Sequence, residues 1–158
     1  MGAPVRGLRS AVVAVVAVGA VFGLVACGAD SLDGAAVVEG FSKKGLPATA
    51  TVTFTAETDP EKLLGQSGGY ESKVAFADER AARKALGSKQ GDVVAGGHVE
   101  VFPNEDAAGA RLDRLLKVAK ITGKEYVFSW GTVVVRLSPE LTSEQADKYI
   151  ATLKQIVG

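Results

Sequence analysis

The sequence predicts an α+β domain, a mainly antiparallel sheet of about five strands with helices packed on one face. Three observations carry that expectation. Residues 48–56 alternate threonine with apolar side chains, the period of a strand that has one buried and one wet face. Residues 125–137 place two strand-like runs on either side of Gly131, the pattern of a hairpin. Residues 142–157 open on Thr142 and Gln145, a capping box, and continue with Ala146, Tyr149, Ile150, Leu153 and Val157 at helical spacing.

The remaining elements follow in chain order. Ser31 is placed to cap a helix running to Lys44, with Val37, Val38 and Phe41 on one side. Gly45 and Pro47 stop it. In the first strand Ala50, Val52, Phe54 and Ala56 share the inner face. Asp59-Pro60 predicts a short helical turn through Leu64. A glycine-rich loop, Gly65 to Gly69, leads to a second strand with Tyr70, Ser72, Val74 and Phe76 inward and Glu71 and Lys73 outward. Asp78 to Leu86 reads as a short charged helix and His98 to Phe102 as a third strand with Val99 and Val101 inward. Asn104 caps a long helix whose stripe is Ala108, Leu112, Leu115, Leu116 and Ala119, ended by Gly123. In the hairpin, Tyr126 and Phe128 face Val133 and Val135, and the same register sets Glu125 opposite Arg136 on the other face.

The first residues carry a different message. Arg6 and Arg9 form a basic head, and Ala11 to Ala26 is an uncharged apolar run of 16 residues, shorter than the roughly 20 that span a bilayer comfortably. Leu24-Val25-Ala26-Cys27 then has the form of a lipobox. Leu24, Val25 and Ala26 let a signal peptidase approach the bond, and the Cys27 thiol is the nucleophile that accepts a diacylglyceryl group. Over residues 1–27 the chain resembles bacterial lipoproteins. The resemblance implies removal of residues 1–26, a lipidated Cys27 with a tether of only Gly28, Ala29 and Asp30, and a single domain over residues 31–158 on the outer face of a cytoplasmic membrane.

Composition narrows what such a domain does. The chain has 18 bases and 18 acids, so losing Arg6 and Arg9 leaves the mature chain with a formal charge of −2. Near-neutrality argues against a nucleic-acid footprint. Cys27 is the only cysteine, so packing rather than a disulfide must hold the domain.

Each candidate for chemistry has a plainer reading beside it. Gly65-Gln66-Ser67-Gly68-Gly69 matches G-x-S-x-G, and Asp92 and His98 follow in hydrolase order. A nucleophile elbow needs a strand before the serine and a helix after it; here the order is reversed, and a flexible turn accounts for the loop. His98 and Glu100 point to one face of a strand, but two ligands do not hold zinc, and a wet sheet face explains them. Trp130, nearest the hairpin turn, is the candidate for an exposed aromatic contact, directed away from Cys27.

Three segments, Tyr70–Asp78, Gly96–Phe102, and Gly131–Ser138 followed by Leu141-Thr142, resemble small secreted lipoproteins of Gram-positive bacteria. That likeness implies location and carries no activity. The sequence thus predicts a membrane-anchored, non-enzymatic module that needs no cofactor and recognises an envelope protein or a small ligand. The alternatives are a small serine hydrolase built on Ser67 and His98, and a protein that interferes with a phage, a toxin or an envelope neighbour.

Overall fold

The computed structural model describes residues 32–122 and 125–158, so the leader, Leu24 to Cys27, Ser31 and the helix stop at Gly123 lie outside the described residues. Five strands, β1 (Ala48–Thr53), β2 (Ser72–Asp78), β3 (Gly96–Val101), β4 (Tyr126–Trp130) and β5 (Val133–Leu137), form one antiparallel sheet in the order β1-β2-β3-β5-β4. The helices α1 (Gly34–Lys43), α2 (Glu79–Ala82), α3 (Glu105–Thr122) and α4 (Ser143–Val157) pack against it. This is the predicted α+β class.

One face of the sheet holds the main core. Val37, Val38 and Phe41 of α1 and Ala146, Tyr149 and Leu153 of α4 close over Val74, Phe76, Val99, Val135 and Leu137. Phe41 meets Tyr149 edge to face at 5.0 Å, a favoured aromatic geometry. The Tyr149 hydroxyl, sealed in this core, donates to Asp78 Oδ2 at 2.8 Å. Both halves of the predicted capping box are present at Thr142 and Gln145, and α3 is capped by Asn104 Oδ1 on the Ala107 N–H. α1 starts at Gly34, later than the sequence suggested, and Asp33 caps it by taking the Ala36 N–H at 2.7 Å.

The opposite face is covered too, which the expectation of helices on one face did not include. Ala108 and Leu115 of α3 close over Val134, Tyr70 and Phe102 there. Since α3 reaches only β4 and β5 among the strands it contacts most, loops 54–70 and 87–92 shelter the rest. Strand β3 is consequently buried along its whole length.

Three local expectations fail for identifiable reasons. The alternation of β1 breaks at a bulge. Ala50 pairs with Phe76, but Val52 pairs with Ala75, so Val52 and Phe54 turn to the second face and away from Ala50. The turn over Pro60 closes with the Lys62 N–H on Asp59 O at 3.2 Å and does not run on as a helix to Leu64, because Lys62 adopts a left-handed backbone (φ 55°); the Asp59 carboxylate instead organises the loop by accepting the Leu63 and Leu64 N–H groups. Leu116 is exposed, and its place on the covered side of α3 is taken by Arg111.

Candidate functional site

The second face of the sheet concentrates the ionisable groups. Lys73, at a strand position predicted to face water, is instead completely buried because loop 54–70 folds over it. Its ammonium donates to Glu61 Oε2 at 2.6 Å, to Asp59 Oδ1 at 3.1 Å and to the Tyr70 hydroxyl at 3.1 Å. Tyr70 in turn donates to Asp59 Oδ2 at 2.7 Å. Arg111 grips Glu100 with two hydrogen bonds of 2.8 Å and reaches both Glu61 oxygens at the same distance. Arg136 joins from β5, 3.3 Å from Glu61 and 3.6 Å from Glu100, and forks onto Glu125 at 2.8 and 2.9 Å. Glu125 and Arg136 do meet, but diagonally: Val127 is the residue paired with Arg136, so the hairpin register lies two residues from the expected one.

Electrostatically the network favours the charged forms of Asp59 and Glu61. Burial pushes the Asp59 carboxyl up, but hydrogen bonds from Tyr70, the Leu63 N–H and Lys73 outweigh it and leave Asp59 well below the usual carboxylate range. Burial opposes Glu61 likewise, yet Lys73 and Arg111 hold it down to about 2. Burial and the hydrogen bond to Asp59 raise the Tyr70 phenol far above its ordinary value. Carboxylates so firmly ionised make poor general acids, and so firmly protonated a phenol makes a poor base. The arrangement clamps loop 54–70 to the sheet.

His98 and Glu100 do share this face, as their spacing required, but it is buried rather than wet, and His98 is only 6% exposed. The His98 Nε2 donates to Gly91 O at 2.7 Å, Nδ1 has no hydrogen-bond partner, and the ring meets Phe54 edge-on at 5.7 Å. Burial lowers its pKa from the ordinary histidine value. Neither ring nitrogen therefore engages the Ser67 hydroxyl, which is exposed in its turn, and Asp92 is spent capping the Lys89 N–H. Among the described residues no cluster of three or more His, Cys, Asp or Glu is arranged to hold a metal ion.

Trp130 is 42% exposed at the hairpin tip, as its place beside the turn suggested. It is the last residue of β4, paired with Val133, so the tip itself is Gly131 and Thr132, with Gly131 at φ 55°. The Lys154 ammonium stands 4.8 Å from the indole centroid. Beside the ring an open groove of about 570 Å³ runs between Glu105 and Gly109 of α3 and Val157 of α4, floored by Ser129 to Thr132.

Where the tip points relative to Cys27 falls outside the described residues; its place within the sheet does not. The Gly34 N–H, at the start of α1, donates to Ser72 Oγ at 3.0 Å. Ser72 pairs with Val101, Val101 with Val133, and Val133 with Trp130. The tip therefore lies at the same end of the sheet as the start of α1.

Sequence reasoning missed the ion-pair clamp, although one signal was present. Arg111 falls three residues after Ala108 and four before Leu115, squarely on the apolar stripe, where an unpaired cation would be costly. No family model, no curated protein and no solved structure matches this chain.

Proposed function

We propose that this chain is a lipoprotein, cut after Ala26, acylated on Cys27 and held on the outer face of the cytoplasmic membrane as a non-enzymatic binding or interaction module. The observation that carries the reading is Leu24-Val25-Ala26-Cys27 at the end of an uncharged apolar run, with the chain's only cysteine at the position lipidation requires. Two acyl chains bury many methylenes at about 0.8 kcal/mol each, which makes such an anchor lasting.

The non-enzymatic reading draws support from how the polar groups are engaged. Asp59, Glu61, Lys73, Glu100, Arg111 and Arg136 saturate one another, and His98 is turned to Gly91 rather than to Ser67. An envelope protein or a small ligand is the partner that this placement suits.

Metabolic labelling with a fatty acid tests the anchor: label on the wild type and none on Cys27→Ala is the expected result, and equal label on both removes the lipoprotein reading. A fluorophosphonate probe tests the module: labelling that disappears in Ser67→Ala would make the protein a serine hydrolase. Crosslinking in intact cells then identifies the partner.

A further inference from the structure

The groove beside Trp130 and the start of α1 both belong to one end of the fold, and that juxtaposition has a physical consequence. From Cys27 to Asp33 the chain covers six residue steps, at most about 20 Å when fully extended. Trp130 lies three strand spacings from Ser72, about 14 Å across the sheet. The opposite end is a full length of β2 further on, about 20 Å for its seven residues. A domain tethered this closely presents its α1 entry end, and hence Trp130, to whatever surface holds Cys27.

We infer that the hairpin tip docks on the lipid surface, with the Trp130 indole in the headgroup region and the Lys154 ammonium beside it. The inference rests on the anchoring proposed above and adds a second, non-covalent contact to it. An amphipathic indole with a flanking lysine is the pairing that membrane–water interfaces favour. One indole binds weakly in solution, but a short tether supplies a local concentration in the millimolar range, so a weak contact becomes well populated. Charge does not drive it. Glu105 and Asp106 stand exposed in the first turn of α3 at this end, and Glu105 lines the same groove. The preferred surface is therefore rich in zwitterionic lipid, and anionic headgroups oppose the contact.

Trp130 is the chain's only tryptophan, so its fluorescence reports the tip alone. Ser31–Gly158 forms a compact unit by itself, so residues 27–158 can be coupled through the Cys27 thiol to a maleimide phospholipid in phosphatidylcholine vesicles that carry brominated acyl chains. The coupling is chemical, so this result stands apart from whether cells acylate Cys27, which fatty-acid labelling reads separately.

The expected result is a blue shift and about twofold or greater quenching relative to uncoupled protein. Lengthening the tether by about 20 Gly/Ser residues should weaken the contact about tenfold, and added phosphatidylglycerol should reduce the quenching. A Trp130→Phe, Leu86→Trp reporter samples the opposite end, where Leu86 is exposed on the turn after α2, and should stay unquenched. Unquenched Trp130 in the coupled protein, or equal quenching at position 86, would overturn the inference and leave the tip to a protein partner. Quenching that grows with anionic lipid would overturn it as well, because charge rather than the indole would then hold the tip.

Discussion

The Lys73 ammonium lies 3.1 Å from the Asp59 carboxylate with both side chains sealed from solvent. An ion pair in that position owes its stability to completeness. Asp59 also takes the Leu63 N–H, the Leu64 N–H and the Tyr70 hydroxyl, while Lys73 also holds Glu61. Removing one partner strands the other in a low-dielectric interior. Lys73→Met should therefore lower stability by about 3–5 kcal/mol, read as a fall in the urea midpoint. An unchanged midpoint would mean that loop 54–70 is held to the sheet by its apolar contacts alone.

A pH dependence follows from His98. Burial lowers its folded pKa, and the nearby Lys73 and Arg136 cations act in the same direction. The unfolded chain takes up this proton near pH 6.5, and the folded protein only at lower pH. Stability is thus complete above about pH 6.5 and declines below it, by at most about 1.4 kcal/mol per pH unit, until the folded pKa is reached. His98→Gln, which keeps a donor for Gly91 O, should flatten the curve between about pH 7.5 and 5.5. Loss of stability below about pH 4 persists in the variant, because Asp59 and Glu61 have depressed folded pKa values and lose their stabilisation only as acid protonates them. A variant whose stability still falls across that window as steeply as the wild type would assign the effect elsewhere.

The same buried face shows where the sequence was legible. The capping box at Thr142, the stripe of α4 and the hairpin all depend on residues close in sequence or on regular periodicity, and all are present, although the hairpin pairs Val127 rather than Glu125 with Arg136. The same alternation assigns Lys73, His98 and Glu100 to water, and there it fails. Alternation reports which residues share a face, but whether that face is wet depends on what folds over it. Here the cover comes from α3 and two irregular loops, and their placement depends on contacts such as Arg111 with Glu61, fifty positions apart. The bulge between Ala50 and Val52 is a second instance. It shifts the register partway along β1 and moves Phe54 onto the His98 ring, with no glycine in β1 to mark it.

The final helix offers a direct test of core packing. Leu153 is fully buried among α1 and the sheet. Truncation removes most of the side chain and leaves a cavity that its neighbours fill only incompletely, so Leu153→Ala should cost about 2–5 kcal/mol. Without a disulfide, a loss of that size is a large fraction of the stability of a domain this small. A melting temperature that does not move would mean α4 is not part of the core.

Two glycines make opposite predictions for one substitution. At Gly97 in β3 an added Cβ would stand 2.4 Å from the Arg136 carbonyl oxygen and 2.7 Å from Phe76 Cζ. The first neighbour is backbone of the adjacent strand and cannot swing aside, so β3 and β5 would have to separate at a fully buried pair. Gly97→Ala should therefore destabilise by about 1–3 kcal/mol, the range of overpacked cores. At Gly109 in α3 the same methyl meets nothing within 4 Å, and a helix interior favours alanine over glycine by about 0.8–1.0 kcal/mol. Gly109→Ala should accordingly raise the urea midpoint. The methyl would also occupy the wall of the groove beside Trp130, so the two effects separate cleanly. A stabilised variant with unaltered Trp130 quenching on vesicles is the expected outcome, because the indole rather than the groove wall makes the lipid contact. If Gly109→Ala stabilises the fold but abolishes that quenching, the wall itself touches the membrane and the contact extends to α3.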